Sequence, residues 1–523
     1  MKNIAKRTSN ISWILFILVF GSEASAGYYV NHVRQLISGD AISRVANAFY
    51  VIYTMPPHLA SIGMVWTPLP SLLELPLMLL WPLYRPIASS ALAGVIITSL
   101  FAALTSVLLF RSLAAYKHSI PFSVFFVLLY SFNPYIFLYG LNGMSEIIFC
   151  FMIIWSMLNL IKWMEDKRTF YAIRIAIALA LAFLSRYEAV AYTAGIAACV
   201  VVILLSSKEF DLLEGRRKLR DTYFRIESSL VLFMMPVAFS VIGWFAYNYL
   251  ITGNALYFLN STYSNLGQSG TILNDKALAA IYRHPAGVLS YILGKASYFL
   301  IPTLLILFKR IVTGKVFKKD FLVFVIILVS TLILQFFLLL TGKSAAWLRY
   351  YMYPLPVAAA WLPYELRDAK NAFWKYGGIF LAFAASGVLT FYVLVNPVKA
   401  PDQFNVFGNN QGNLSLQTQN QIAAYINRNL PDAAILMDTF TTFSVVLGSE
   451  HPQNFIVSSS LIFNDAIRHP KENGIEYILI PNPGDPLGSL DSINLYYPGL
   501  YENGSSFCVL QKTFKNFKLY KIV

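Results

Sequence analysis

The sequence predicts a polytopic α-helical membrane protein of about 11 transmembrane helices, with a small α/β domain at its C-terminal end. Three observations carry this prediction. Hydrophobic residues make up 57% of the 523 residues and charged residues 13%, whereas soluble domains carry roughly 25% charged residues. Apolar runs long enough to cross roughly 30 Å of hydrocarbon recur along residues 1–396, and from residue 397 the composition becomes polar. A soluble globular enzyme is therefore excluded.

Apolar periodicity and length predict eleven spans. They cover residues 10–29, 87–110, 119–138, 145–162, 170–184, 189–206, 229–250, 286–308, 321–341, 352–364 and 376–396. One further apolar stretch, residues 67–84, is interrupted by prolines and is expected to lie along the outer leaflet or dip into it. Counting it as a span would place the loop with Arg111 and Lys117 outside, against the distribution of positive charge.

The net charge of +14 belongs to the membrane part of the chain. With eleven crossings, the inner loops collect 22 Lys and Arg residues and the outer loops 8, which is the asymmetry expected when positive loops stay in the cytoplasm. The N-terminus is then inside and the C-terminus outside the plasma membrane. The positive charge gives no support for a nucleic-acid partner. Ala24-Ser25-Ala26-Gly27 also fits a signal-peptidase site, so cleavage there is an open alternative.

Residues 397–523 form the predicted extracytoplasmic domain, with 8 basic and 10 acidic residues. An amphipathic helix at 417–429, an apolar strand at 433–437, a helix-like stretch at 463–469 and a strand at 477–480 predict a small α/β unit. The chain contains no GxxxxGK[ST], GxGxxG, HExxH or paired CxxC motif, so nucleotide-dependent and zinc chemistry have no support. The three cysteines are too few for a disulfide framework.

The first outer loop, residues 30–86, contains the richest cluster of polar residues. A helix that begins near Asp40 places Asp40, Arg44 and Asn47 on one face. An aromatic, amphipathic run to Tyr53 follows and is suited to the membrane interface. The alternative is that Asp40 only caps the helix and pairs with Arg44.

Three further clusters lie at predicted outer ends of spans, where ionisable side chains are often functional. They are Asn142 to Glu146, Ser185 to Glu188, and Lys343 with Trp347, Arg349 and Tyr350. Each has a structural alternative. The first can be a helix cap, the second an ion pair between Arg186 and Glu188, and the third an aromatic belt with snorkelling cations.

In this order the clusters resemble the GT-C superfamily of integral-membrane glycosyltransferases, particularly members related to protein mannosyltransferases and aminoarabinose transferases. The stretches that carry the resemblance are GDAISR, VWTPLPSLLELP, NGMSE, LSRYEA, WFAYNYLITGNALYFLNSTYS and WLRYYMYPLP. They cover nearly the whole chain, and no single stretch is diagnostic. Members of the superfamily often have Asp-Glu in the first outer loop, where this chain has Asp40-Ala41. The resemblance also implies that the first helix is retained.

The resemblance implies an inverting transferase that moves a sugar from a polyprenyl phosphate to an acceptor hydroxyl of a glycan, lipid or protein on the outer face. Asp40 is the expected base, with Glu146 as the next catalytic candidate. The expected phosphate-binding cations are Arg349 first, then Arg44, Arg186 and Lys343. The predicted substrate pocket comprises Asn47, His58, Tyr187, Glu188, Trp347 and Tyr350. No cofactor is expected, and one carboxylate with one histidine in the first outer loop makes a poor metal site.

Two other classes of protein remain possible from the sequence. A transporter or flippase of a lipid-linked glycan would also use interfacial cations, although transporters place ionisable residues near the bilayer midplane. An assembly protein that binds partners through residues 397–523 is the third possibility. Only the enzyme requires a carboxylate at Asp40, so that residue discriminates between the three.

Overall fold

The computed structural model describes residues 2–205, 215–261, 263–264, 267, 276–369, 371–407, 414–485 and 488–523. Parts of two loops that connect predicted spans, the inner loop 207–227 and the outer loop 252–285, lie outside these residues.

Helices dominate the described part of residues 1–396. In chain order they are α1 Lys2–Tyr28, α2 Gly39–Tyr53, α3 Leu69–Met78, α4 Pro86–Ser89, α5 Leu92–Ala115, α6 Ile120–Ser131, α7 Pro134–Leu141, α8 Glu146–Asp166, α9 Thr169–Ser185, α10 Ala189–Leu205, α11 Gly215–Thr252, α12 Tyr257–Asn260, α13 Lys276–Ile281, α14 Pro285–Val312, α15 Lys319–Leu340, α16 Pro354–Glu365 and α17 Gly378–Leu394. Short π-helical segments follow α1 at Tyr29–Val33 and precede α17 at Phe373–Gly377.

A helix occupies each of the eleven predicted spans. By length and composition, 7 of the described helices can cross a membrane, or 8 if α6 and α7, which meet at 68°, form one broken span. Asn133 and Pro134 lie at the break, where Pro134 has no N–H to donate. Helices α9 and α10 have 17 residues each and α16 has 12, so the count of eleven crossings stays a prediction.

The membrane bundle has two chemically distinct ends. At one end, Tyr116 donates a hydrogen bond to Glu165 in the last turn of α8, at 3.1 Å. Lys309 lies 2.8 Å from Glu365. The ring of Tyr364, the residue before Glu365, packs against the ring of Tyr116. Helix α8 begins at Glu146, and its 21 residues separate the two ends by about 30 Å. Tyr116, Glu165, Lys309 and Glu365, which lie beside loops predicted inside, are therefore at the opposite end of α8 from Glu146 and its partners Arg186 and Arg349.

The first outer loop contains two helices that position the site. Helix α2 begins at Gly39 and ends at Tyr53, which confirms the helix predicted from Asp40 to Tyr53. Within residues 67–84, α3 covers Leu69–Met78, and its 10 residues span about 15 Å, too little to cross a bilayer. Thr67 donates to the carbonyl of Ser185 at 2.7 Å, which ties this loop to the end of α9.

The C-terminal part contains a five-stranded sheet in the order β2-β1-β3-β5-β4. Strands β1 and β2 pair in parallel, as do β1 and β3, whereas β5 runs antiparallel to β3 and β4. The strands are β1 Ile435–Met437, β2 Phe455–Val457, β3 Tyr477–Pro481, β4 Cys508–Phe514 and β5 Phe517–Ile522. The helices are α18 Pro401–Phe407, α19 Leu414–Asn429, α20 Phe443–Leu447, α21 Phe463–Arg468, α22 Ser492–Tyr496 and α23 Leu500–Asn503.

The predicted strands at 433–437 and 477–480 and the predicted helices at 417–429 and 463–469 are confirmed as β1, β3, α19 and α21. Strands β2, β4 and β5 were not predicted. Strand β2 has three residues, and β4 carries mainly exposed side chains, so neither shows the alternation of buried and exposed residues that identifies a half-buried strand.

One hydrophobic core joins the sheet to the membrane part. Phe49 and Tyr50 of α2 pack in the same buried cluster as Ile435 and Met437 of β1 and Val445 of α20. Since apolar burial is non-directional but needs close packing, this shared core fixes the C-terminal domain over the first outer loop.

Candidate active site

A cavity of about 1470 Å³ lies between the first outer loop and the C-terminal domain. Its membrane-side wall comes from α2, the loop to Trp66, the end of α7 and the segment around Arg349. Its opposite wall comes from residues that follow β1 and β2. Drug-sized ligands occupy pockets of roughly 300–1,000 Å³, so this cavity has room for two small substrates or for one substrate with part of a lipid.

Asp40 reaches the cavity from the first turn of α2. The apolar residues of this helix, including Ala41, Ile42 and Val45, are buried, and Asp40 is left on the cavity side with 28% of its side chain exposed. Arg349 Nη2 donates to Asp40 Oδ2 at 2.9 Å. A charge-assisted bond of this kind orients the carboxylate.

Arg349 also connects Asp40 to a second acidic residue. Its Nε lies 3.3 Å from Glu146 Oε1 at the start of α8. Burial alone would lower the pKa of the Arg349 guanidinium, but the neighbouring carboxylates, Asp40 first, hold that pKa well above its ordinary value. The guanidinium is therefore a permanent cation at the cavity wall.

Beyond Glu146, acidic and basic side chains continue to alternate in the direction away from the cavity. Arg186 Nη1 lies 2.7 Å from Glu146 Oε1, and Arg186 Nη2 lies 2.6 Å from Glu188 Oε1. Burial would raise the pKa of the Glu188 carboxyl, but the charge of Arg186 outweighs it and the pKa is lowered. Five side chains from four chain segments thus form one chain of ion pairs: Asp40, Arg349, Glu146, Arg186 and Glu188.

The two predicted catalytic carboxylates, Asp40 and Glu146, differ in whether they reach the cavity. Asp40 lines the cavity. The Glu146 side chain is 0% exposed, does not line the cavity, and lies between the two arginines. Asp40 is therefore the carboxylate that a bound substrate would meet.

The four predicted phosphate-binding cations occupy different places. Arg349 lines the cavity, and Arg186 lies behind it with 10% of its side chain exposed. Arg44 is buried, its guanidinium is 5.1 Å from the Trp66 ring, and burial lowers its pKa. Lys343 is exposed in the loop after α15 and is outside the described cavity lining.

The predicted pocket residues divide in the same way. Asn47, His58 and Trp347 line the cavity, whereas Tyr187, Glu188 and Tyr350 do not. The Tyr350 ring lies 5.8 Å from the guanidinium of Arg186 and 5.7 Å from that of Arg349, so it packs between the two cations.

Two of these residues hold loops in place. Tyr187 donates to the carbonyl of Val65 at 2.9 Å and accepts a hydrogen bond from Trp244 at 3.2 Å. His58 Nε2 lies 3.1 Å from the carbonyl of Ser459, which links the first outer loop to the C-terminal domain.

Two solved structures of one protein align with nearly the whole of this chain. ArnT from Cupriavidus metallidurans, bound to undecaprenyl phosphate, aligns with a TM-score of 0.54 at 10% identity over 97% of this chain and 98% of ArnT. Its apo state aligns with a TM-score of 0.51 at 11% identity over 98% of both chains. The chain has the fold of ArnT. The resemblance predicted from the sequence is thereby confirmed at the level of the fold.

An oligosaccharyltransferase from Archaeoglobus fulgidus aligns with a TM-score of 0.46 at 10% identity, over 89% of this chain and 69% of that protein. No protein-family model matches the sequence, and no curated protein matches it.

Within this fold, sequence reasoning missed the wall of the cavity that the C-terminal domain contributes. Asp438, Thr439 and Phe440 follow β1 directly, and Ser458 follows β2. The available signal was the run of polar residues after the apolar strand at 433–437, because ligands bind at the carboxyl ends of parallel strands. Tyr139 and Gln403, which are hydrogen-bonded to each other at 2.8 Å, also line the cavity and were not predicted.

The carboxylates of the site do not form a metal cage. In the part of the chain that the structure describes, no three His, Cys, Asp or Glu side chains come together as metal ligands. Arg349 separates Asp40 from Glu146, and Arg186 separates Glu146 from Glu188. Hard cations need several oxygen ligands around one point, and here guanidinium groups occupy the space between the carboxylates.

Proposed function

We propose that this protein is an inverting glycosyltransferase that moves a sugar from a polyprenyl phosphate to an acceptor hydroxyl on the outer face of the plasma membrane. The observation that carries the proposal is the contact between Asp40 and Arg349 at the wall of the large cavity. One side chain can accept a proton and the other can bind a phosphate, and both face the same space.

The fold supports the identity of the donor. ArnT, which shares the fold, is bound to undecaprenyl phosphate, and a donor held by the membrane needs no nucleotide-binding loop. The chain contains none of the glycine-rich phosphate motifs.

The reaction requires a base at the acceptor hydroxyl and a cation at the leaving phosphate. Asp40 takes the proton of the acceptor hydroxyl while the acceptor oxygen forms its bond to that carbon. The bond from carbon to phosphate oxygen breaks, and its electron pair leaves with the polyprenyl phosphate. Attack opposite the leaving group inverts the configuration.

Arg349 binds the phosphate of the donor in this proposal. A guanidinium has five N–H donors in a planar fork, so it can hold phosphate oxygens while it keeps Asp40 and Glu146 in place. The negative charge that develops on the leaving phosphate is then met by a cation already positioned for it, which lowers the barrier without reorganisation.

The experiment is a transfer assay with the full-length protein in proteoliposomes, supplied with polyprenyl-phosphate sugars. Candidate donors come from mass spectrometry of the lipid-linked sugars and glycans that change in a deletion strain. We expect product with an inverted anomeric centre by NMR. Transport of an intact lipid-linked glycan without any transfer would instead favour the flippase.

A further inference from the structure

We propose that the wall of the cavity built by the C-terminal domain is the acceptor subsite and that it binds a neutral polyhydroxylated acceptor, that is, a sugar. This C-terminal wall comprises Thr439, Phe440, Ser458, Ser459, Ser460 and Asn464. The proposal rests on the proposed function, since it assigns the second substrate of the same cavity.

The topology of the sheet assembles this wall. Strands β1 and β2 are parallel, so the loops that follow them leave from the same edge of the sheet. Thr439 Oγ1 lies 2.7 Å from Ser458 Oγ across the two loops. The carboxyl ends of parallel strands are where ligands of open α/β sheets bind.

The loop after β1 is held rigidly. Asp438 Oδ1 accepts from the backbone N–H of Phe440 at 2.9 Å, and Asp438 Oδ2 accepts from the backbone N–H of Ser492 at 2.8 Å. Tyr263 donates to the same carboxylate at 2.5 Å. The Asp438 side chain is 1% exposed, so it positions the wall and leaves direct contacts to the residues around it.

The charge of the lining favours a neutral ligand on this side. Among the described residues that line the cavity, Arg349 is the only Lys or Arg, and it is on the membrane side beside Asp40. The C-terminal wall offers hydroxyls and one amide, which both donate and accept hydrogen bonds. A phosphorylated or carboxylated acceptor would lose its hydration here without gaining a cation.

Two side chains of the wall are arranged for contact with a sugar. The Phe440 ring packs 4.7 Å from that of Tyr263, which presents an apolar, aromatic surface to the C–H face of a sugar ring. Ser459 Oγ is buried and makes no hydrogen bond with the described residues. A buried hydroxyl without a partner is unfavourable, and an acceptor hydroxyl would satisfy it.

The test is photolabelling of the full-length protein in nanodiscs with a methyl glucoside that carries a diazirine, followed by peptide mapping. We expect labelling within 438–443 and 458–464, and competition by unlabelled methyl glucoside or methyl mannoside but not by glucose 6-phosphate. Phe440→Ala and Asn464→Leu should each reduce this labelling about fivefold, the equivalent of about 1 kcal/mol, and Phe440→Tyr should restore it.

Matched controls lie in the same domain and outside the cavity. Phe514→Ala removes a ring that packs on Tyr425 at 5.7 Å, and Asn503→Leu removes an exposed amide. Both should label like the unmodified protein. Labelling confined to the membrane-side wall, or competition by glucose 6-phosphate or by a Ser/Thr-rich peptide alone, would overturn the proposal. If turnover depends on Asp40 but this wall is not labelled, the acceptor subsite is wrong and the proposed function is unaffected.

Discussion

Arg349 bridges Asp40 and Glu146: its Nη2 lies 2.9 Å from Asp40 and its Nε 3.3 Å from Glu146. The bridge joins the first outer loop to the start of α8 through one guanidinium. It also places a cation next to the only carboxylate of the ion-pair chain that lines the cavity. The roles that we propose for Asp40 and Arg349 can therefore be tested by separate substitutions on the two sides of this contact.

Asp40→Asn should lower turnover by roughly 10²- to 10⁴-fold, which is the usual contribution of a positioned base. The amide keeps the size of the side chain and can still accept from Arg349, so expression and donor binding should change little. Turnover in proteoliposomes checks this, with Asp432→Asn, an exposed carboxylate of the C-terminal domain, as the control. Wild-type turnover would move the base to Glu146, and activity after loss of both carboxylates would favour a transporter.

Arg349→Lys should weaken donor binding about as much as Arg349→Ala, by roughly tenfold or more. An ammonium cannot reproduce the planar, two-point contact with phosphate oxygens. The affinity for a polyprenyl phosphate, measured for both variants, checks this, and Lys515→Ala, at an exposed position of the C-terminal domain, serves as the control. A fully active Lys variant would make Arg349 a membrane anchor and pass the phosphate role to Arg44, Arg186 or Lys343.

Chelators should leave transfer unchanged. The three carboxylates of the ion-pair chain are each engaged by an arginine, which leaves no group of oxygen ligands around one point. Turnover in EDTA, compared with turnover in added Mg²⁺ or Mn²⁺, measures this. If EDTA abolishes activity and either metal restores it, Glu146 and Glu188 are the first residues to examine as ligands.

The proposed orientation predicts which introduced thiols an impermeant reagent can reach. A cysteine at Glu472, in the C-terminal domain, should be labelled in intact cells or spheroplasts, and one at Phe317, in the loop between α14 and α15, should not. Both positions are exposed, whereas Cys150, Cys199 and Cys508 are buried and give little background. The opposite pattern would place the cavity on the cytoplasmic side and end the proposal of an outer-face enzyme.

Asp491→Asn should stabilise the C-terminal domain, by an amount that grows with pH. Burial first, and then the charge of Asp438, raises the pKa of the Asp491 carboxyl well above its ordinary value. The stability that its protonated form contributes is present at low pH and is lost as pH rises through the folded-state pKa. Asn retains the oxygen that accepts from the N–H groups of Ile493 and Asn494.

Thermal unfolding of the full-length protein between pH 5 and 9 measures this effect. The variant should gain on the order of 1 kcal/mol at the upper end of the range and show a flatter dependence on pH. Asp465→Asn, at an exposed position of the same domain, is the control. A variant that is less stable at every pH would show that the carboxylate of Asp491 supplies a contact that the amide cannot replace.

Local sequence was sufficient for much of the fold. The apolar runs located a helix at every predicted span, and the polar start with an apolar face identified α2 from Asp40 to Tyr53. The change in composition near residue 397 predicted an α/β unit, and two of its strands, β1 and β3, were located from the sequence. These features depend on periodicity and composition within a few turns of chain, which a single sequence contains.

Tertiary structure alone decided which charges meet. Asp40 and Arg349 are 309 residues apart in the chain, and no local pattern predicts that they touch. Arg349 and Lys343 belong to one sequence cluster, yet only Arg349 turns into the cavity, through the short 3-10 helix Leu348–Tyr351. The C-terminal wall could not be predicted from the sequence for the same reason. Its residues come together only because β1 and β2 pair in parallel and one hydrophobic core fixes their sheet over α2, and such packing depends on contacts between distant segments.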